Sequence, residues 1–358
     1  MTGTATTGLI LLAGIAFAFV AASVYGRVAA ISWERTPYPP GRMVPAGDTR
    51  LYVRVRGEGS PVVVIEPGMG SPGAEWWHIQ DELAKTTTVV TYDRAGYGWS
   101  RKGRFPRTSS QIVSELAEML ENASLKGPYV LVGHSQGGLY LQLFGRLHPD
   151  RVAGAVFLDP VSSDDQRFRA ELKPQVYRAS GIDKLETINS LNTLRQLGLM
   201  RVFRSRLSKQ LLAHYGTLSP TTREILWQHF TLPKAHAAML NEYEQNKTPA
   251  NSTEVRAAGT FPPVPLKVIY HSPRKMVHEM MQHGLLQRED ADEVELIWEQ
   301  LVRAYLRLSP KSEWIVAQDT GHYIHLERPE LVLSETLELI RAARSEMSQQ
   351  PGSPQSDS

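Results

Sequence analysis

Short apolar runs and amphipathic stretches alternate along most of the chain. Residues 51–55 alternate apolar and polar side chains, which predicts a strand buried on one face, whereas the run PVVVIE at 61–66 predicts a strand buried on both faces. Other short runs rich in branched apolar residues predict strands at 88–93, 129–132, 155–159, 266–270 and 313–317. Apolar spacings of three and four predict helices at 110–122, 137–147 and 329–344. Strands separated by helices predict an α/β fold whose mostly parallel sheet has helices on both faces.

The strand pattern is interrupted between residues 161 and 263, where only helical patterns rich in Leu, Arg and Gln occur. Parallel sheets bind ligands at the carboxyl ends of their strands. We therefore expect 161–263 to form a helical cap over that edge, inserted before the penultimate core strand. The core then comprises 42–160 and 264–344. The end of the chain, 345–358, is rich in Ser, Gln and Pro, which predicts a disordered tail.

The run from residue 8 to residue 25 has no charged side chain. At about 1.5 Å per residue it reaches the short end of what crosses a hydrocarbon core of roughly 30 Å. This favours a transmembrane anchor at 1–26, followed by a Pro-rich linker at 27–41. A buried core helix is a competing interpretation.

A cleaved signal peptide is a further alternative, since Ala21-Ala22-Ser23 resembles a cleavage site. However, no basic residue precedes the run. Arg27 and Arg35 follow it, and the positive-inside rule then favours a single-pass membrane protein whose globular part is cytoplasmic over one whose globular part is extracytoplasmic.

Composition removes several classes of function. The 358 residues include 39 basic and 37 acidic ones, a net charge of +2, and no dense run of Lys or Arg, which argues against a nucleic-acid partner. Cysteine is absent, which excludes thiol catalysis, disulfides and Cys-ligated zinc. His271, His278 and His283 lack a metal-ligand spacing, so we expect no metal. No cofactor and no protein partner are predicted.

The segment Gly133-His134-Ser135-Gln136-Gly137 carries the strongest chemical signal. It follows an apolar strand and precedes a helix, and G-x-S-x-G in that context is typical of a tight turn that presents a serine hydroxyl at a sheet edge. Side chains two positions before and after the serine would collide in such a turn, so glycines fit there. Ser135 is the predicted nucleophile.

With this motif the chain resembles the α/β-hydrolase superfamily over about 42–344. Two further segments carry the resemblance: YDRAGYGWS at 92–100, and TGHY at 320–323 with ERPE at 327–330. The resemblance implies a Ser–His–acid hydrolase whose base is His322, in the loop after the last core strand. His325 is the fallback base, and His134 is interpreted as structural.

The acid departs from the common pattern of the superfamily. The segment HSPRK after 266–270 offers no carboxylate where most members carry the acid. A minority carry it at the end of the preceding strand, where this chain has Asp159. We therefore expect Asp159 to orient His322, with Glu279, Asp164 and Asp165 as alternatives.

An oxyanion that develops during acyl transfer needs hydrogen-bond donors already in place. The resemblance implies two backbone N–H groups. One is that of Gln136, directly after the nucleophile, and the other is that of Met69 in the glycine-containing loop EPGMGS at 66–71.

Two charged patterns have simpler interpretations. Asp93 and Arg94 predict an internal ion pair or a loop brace. In the cap, basic residues alternate with apolar ones, which fits either a solvated helix or a basic face on anionic lipid; we favour the solvated helix. These basic residues are Arg195, Arg201, Arg204 and Arg206.

The leading hypothesis is hydrolysis of carboxylic esters through an acyl-enzyme, on a hydrophobic or lipid-like acyl substrate. Perhydrolase or haloperoxidase-like chemistry and amide or C–C hydrolysis are alternatives on the same fold. A serine at the turn argues against epoxide-hydrolase and dehalogenase chemistry, which needs a carboxylate there. A non-catalytic binding protein on the hydrolase scaffold is the third hypothesis, because a fold does not fix a function.

Overall fold

The structure is a computed structural model that describes residues 2–36 and 40–349, with side chains from residue 7. Residues 37–39 of the predicted linker and 350–358 of the predicted tail lie outside the described residues.

Eight strands form one twisted sheet in the order β1-β2-β4-β3-β5-β6-β7-β8. The pairs β1–β2 and β2–β4 are antiparallel, and all other neighbours are parallel. All seven predicted strands are present within a few residues. The eighth, β1, was not predicted, and its short run with Pro45 is typical of the edge position that it occupies. The strands are β1 (Arg42–Ala46), β2 (Thr49–Arg56), β3 (Val62–Glu66), β4 (Val89–Tyr92), β5 (Tyr129–His134), β6 (Val152–Leu158), β7 (Leu266–Tyr270) and β8 (Ser312–Val316).

Helices cover both faces of the sheet, as the buried strand patterns predict. In β3, Val62 and Val64 pack into one apolar cluster, which α3 and α4 complete, while Val63 and Ile65 pack into a second cluster, with α2 and α16. The core helices are α2 (Trp77–Leu83), α3 (Ser109–Asn122), α4 (Gln136–Leu147), α13 (Pro273–His283), α14 (Arg288–Arg303), α15 (Ile324–Glu327) and α16 (Pro329–Gln349). Helix α16 continues past residue 344, so the tail was predicted to begin too early.

The cap is entirely helical in the described chain between β6 and β7, as predicted. Its helices are α5 (Gln166–Glu171), α6 (Pro174–Ala179), α7 (Leu185–Gln196), α8 (Leu199–Val202), α9 (Arg204–Leu211), α10 (Pro220–Phe230), α11 (Pro233–Asn246) and α12 (Pro249–Ala257). Helices α13 and α14, between β7 and β8, were not predicted. They share an apolar cluster with α5 and α6, so the cap is joined to the second part of the core.

Helix α1 (Thr2–Glu34) is long and apolar enough to cross a membrane, with a mean hydropathy of 2.3 over its most apolar window. It continues through 27–34, which had been predicted as linker. The reason is packing: Ala30 is buried against Tyr97 and Leu232, and Trp33 stacks on Trp99 at 4.6 Å between ring centroids.

Candidate active site

Ser135 stands at a sharp turn between β5 and α4. Its backbone has φ +53° and ψ −121°, a conformation that a non-glycine residue adopts only under strain. The neighbouring glycines are needed sterically. A Cβ on Gly137 would lie 2.2 Å from the carbonyl oxygen of Glu66, and one on Gly133 would lie 2.9 Å from the Cα of Gly138. The turn therefore has the geometry that the sequence predicts.

Asp159 follows β6 directly and is fully buried, with a backbone φ of +43°. The Nδ1–H of His322, from the loop after β8, donates a hydrogen bond to Asp159 Oδ2 at 2.5 Å. Residues from two separate strand ends thus form the imidazole–carboxylate pair expected from the sequence. Glu279, Asp164 and Asp165 make no hydrogen bond to His322 within the described chain.

A second imidazole shares the same carboxylate. His271 is buried directly after β7, at the position where the resemblance noted in the sequence would place the acid, and its Nδ1–H donates to Asp159 Oδ2 at 2.8 Å. Its Nε2–H donates to the Glu295 carboxylate at 3.0 Å. Sequence reasoning missed this role, although the position of His271 was the available signal.

The two imidazoles determine the charge of the buried Asp159 carboxylate. Burial alone would raise the pKa of Asp159, but His271 and then His322 hold that pKa well below its usual range. Burial opposes charge on His271, yet Asp159 and Glu295 raise its pKa to about 9. Near pH 7, His271 is therefore a cation between two carboxylates.

This raised pKa predicts a pH-dependent stability. Because the folded pKa of about 9 exceeds the unfolded value of 6.5, the contribution is complete below about pH 6.5 and is lost as the pH rises through 9. Its size is roughly 3 kcal/mol from a shift of about two and a half pKa units. Urea unfolding of the detergent-solubilised chain between pH 6 and pH 10 measures it.

His271→Gln should flatten that decline, while His283→Gln, an exposed histidine on α13, should keep it. If the parent and His271→Gln lose equal stability over this pH range, His271 is not charged in the folded protein.

The loop after β3 passes close to Ser135. A Cβ on Gly68 would lie 3.4 Å from the Ser135 Cβ. The backbone N–H groups of Met69 and Gln136 have no hydrogen-bond acceptor within the described residues, and both residues line the same cavity as Ser135. The expected pair of oxyanion donors is thus compatible with the geometry.

Arg94 fixes this loop from behind. Its guanidinium is buried, donates to the carbonyl oxygens of Pro67 and Gly68 at 2.7 and 2.8 Å, and pairs with Glu66 and Glu242. Arg94 therefore braces the loop, one of the two interpretations that the sequence offered, but it does not form an ion pair with Asp93. The Asp93 carboxylate instead accepts the backbone N–H groups of Gly73 and Trp99.

Two further histidines, His134 and His325, lie next to the site. His134 Nε2–H donates to the backbone carbonyl of His322 at 2.9 Å, which fits its structural interpretation. His325 is fully buried, and its Nε2–H donates to Glu75 at 2.6 Å. Glu75, His134 and His325 place three ligand-type atoms within 4.8 Å of one another, the one cluster of this kind within the described residues. The expectation that the protein needs no metal stays a prediction.

Ser135, His322, Met69 and Gln136 line one cavity of about 300 Å³. Its other walls come from the cap and from the helices between β7 and β8, so the cap covers the carboxyl edge of the sheet. The apolar wall includes Phe168, Ile182, Met276, Trp298 and Leu301.

The model of the alpha/beta hydrolase family matches residues 62–335. An AB hydrolase superfamily protein of Gibberella zeae is 24% identical over 311 residues, which cover 82% of this chain and 92% of that protein.

Solved structures are similar at the level of the fold. A thermophilic esterase from Thermogutta terrifontis has a TM-score of 0.55 at 20% identity, covering 85% of this chain and 99% of its own. The epoxide hydrolase CorEH has a TM-score of 0.59 at 16% identity, covering 84% of this chain and 98% of its own.

Proposed function

Since the chain belongs to the alpha/beta hydrolase family, we propose that it is a serine hydrolase that cleaves carboxylic esters through an acyl-enzyme. The observation that carries the proposal is the hydrogen bond of 2.5 Å between His322 and the buried Asp159. His322 lines a cavity that Ser135 also lines at its strained turn. A neutral imidazole fixed at Nδ1 leaves Nε2 free to accept a proton from a serine hydroxyl.

The reaction proceeds in two steps. Ser135 Oγ attacks the ester carbonyl carbon while its proton passes to His322 Nε2, and the carbonyl oxygen becomes an oxyanion held by the N–H groups of Met69 and Gln136. The C–O bond then breaks, and the alcohol leaves with the proton from His322. Water attacks the acyl-enzyme and gives a proton to His322. Breakdown of this second tetrahedral intermediate frees the acid and returns that proton to Ser135.

The apolar wall of the cavity supports a hydrophobic acyl group as substrate. Each buried CH₂ contributes about 0.8 kcal/mol, or about fourfold in kcat/KM. We expect p-nitrophenyl hexanoate to be hydrolysed at least about tenfold more efficiently than the acetate, measured as kcat/KM over a series of acyl lengths.

Parallel assays of anilides, epoxides and peracid formation test the alternative reactions. Ser135 at the turn disfavours epoxide opening, which needs a carboxylate nucleophile. An anilide or peracid rate above the best ester rate would contradict the assignment of esters as the substrate class.

The same proposal makes α1 a single-pass anchor, with the catalytic part on the cytoplasmic side. Its support is the apolar, exposed surface of α1 and the basic residues Arg27 and Arg35 that follow the apolar run. Alkaline carbonate extraction of membranes from cells expressing the full chain tests the anchor, and protease protection of the intact cells or vesicles tests the side. Recovery of a soluble chain cut near residues 21–23 would establish a signal peptide instead.

A further inference from the structure

Helix α1 has two parts with different surroundings. Up to Ala21 its described side chains are exposed, and a Cβ placed on Gly8 or Gly14 would have no atom within 4 Å. From Ala22 onward one face of the helix packs against the rest of the protein. Ser23 Oγ–H donates to the Gln196 carbonyl at 2.7 Å, and Glu34 pairs with Lys234 at 3.5 Å. The projecting part, 2–21, is about 30 Å long at about 1.5 Å per residue.

This division indicates where along α1 the membrane would end. A bilayer core of roughly 30 Å can surround the projecting part, but not the part that the polar cap contacts. Its boundary therefore lies near Ala22, where Gly198 is so close that a Cβ on it would meet the Ala22 carbonyl. Beside this contact, Leu197, Val202 and Phe203 expose 37%, 53% and 53% of their surface. Exposed apolar side chains at this level fit insertion into the interface.

A cavity of about 480 Å³ opens directly behind that boundary, between α1 and the cap. Arg27 from α1 and Arg195 and Arg201 from the cap line it. Arg27 follows Ala22 by five residues, or about 7 Å along the axis, which is the depth of the lipid headgroups beyond the hydrocarbon core.

The three guanidinium groups have no carboxylate partner within the described residues. Arg195 donates to Asn192 Oδ1 at 2.7 Å, and Arg201 donates to Thr231 Oγ1 at 2.7 Å. Burial, together with the like charge of Arg27, lowers the pKa of Arg195. The nearest carboxylate acting on Arg201 is that of Glu224, which pairs with Arg204. Like charges gathered in one cavity repel each other, and a bound anion removes that repulsion.

We propose that this cavity binds the phosphate group of an anionic phospholipid. A lipid headgroup and free phosphate both offer phosphate oxygens that arginine guanidinium groups can bind. The position of the cavity at the membrane boundary favours the lipid. The inference rests on the proposed role of α1 as an anchor. It gives Arg195 and Arg201 a function that a solvated cap helix would not have.

The test measures lipid binding to the full chain in detergent. Native mass spectrometry follows titration with phosphatidylglycerol, with phosphatidylcholine and with inorganic phosphate as separate ligands. Arg195→Gln/Arg201→Gln removes two cavity charges, and Arg206→Gln/Lys209→Gln removes the same charge from exposed α9. We expect the first variant to weaken phosphatidylglycerol binding at least about tenfold and the second to change it less than about twofold.

Equal weakening by both variants would overturn the proposal in favour of a general effect of surface charge. Equal binding of phosphatidylcholine and phosphatidylglycerol would also overturn it. Competition by millimolar inorganic phosphate with no preference for lipid would show a free-anion site and overturn the lipid assignment. Ester hydrolysis and carbonate extraction of the same variants keep the proposals apart. Both variants should match the parent in both assays. A parent chain that does not hydrolyse esters would contradict the catalytic proposal, and a parent chain that carbonate extracts from the membrane would contradict the anchor proposal.

Discussion

We expect Ser135→Ala to lower kcat for ester hydrolysis by roughly 10⁵-fold or more and to abolish covalent labelling by a fluorophosphonate probe. In the proposed mechanism this side chain supplies the atom to which both the acyl group and the phosphonate bind, and alanine has no atom that can replace it. The proposed oxyanion donors and the cavity would remain, so a small residual rate over water is expected. The measurement is gel-based labelling together with ester turnover by the full chain.

Ser162→Ala is the matched control. Ser162 lines the same cavity and is nearly buried, but it lies after β6 rather than at the strained turn. It should label like the parent and keep its activity within about threefold. Labelling that survives in Ser135→Ala would place the nucleophile elsewhere. A parent that neither labels nor hydrolyses esters would favour the non-catalytic binding protein.

The fold could be predicted because its signals are local. Continuous apolar runs such as 61–66 mark strands buried on both faces, and the glycines around Ser135 mark a turn that few other residues tolerate. The edge strand β1 carries neither signal, since it is short and contains proline. The end of α1 was misplaced for a related reason: packing of Ala30 and Trp33 against distant residues extends it, and a local pattern does not contain those contacts.

The site could be predicted only in part. Ser135 and His322 follow motifs whose spacing is visible in the chain. The second partner of Asp159 is not visible in the same way, because His271 reaches it from the end of β7 while binding Glu295 of α14, and sequence position alone does not bring these residues together. The empty acid position after β7 was visible, but the cation that fills it was not. The same holds for the cavity of Arg27, Arg195 and Arg201, which exists only once α1 lies on the cap.

Asp159→Asn should lower kcat for esters by roughly 10³- to 10⁴-fold with a smaller change in KM. The amide takes the space of the carboxylate but carries no negative charge, so in the proposed mechanism the imidazolium of His322 loses its stabilising partner in the transition state. An amide can also present N–H to Nδ1, which favours the wrong tautomer of His322. Pre-steady-state ester hydrolysis and the rate of fluorophosphonate labelling both report this loss.

The variant also tests a structural role of Asp159 beside the proposed catalytic one, because the same carboxylate binds His271. Without its charge, His271 keeps only Glu295, so the pKa of His271 should fall and the decline of stability with pH should move to lower pH. Asp165→Asn is the matched control: Asp165 lines the same cavity, but its carboxylate pairs with Lys247. It should lower kcat less than about tenfold. If Asp159→Asn labels at the parent rate, the acid lies elsewhere, and Glu279, the carboxylate beside Gly321 in the same cavity, becomes the residue to replace.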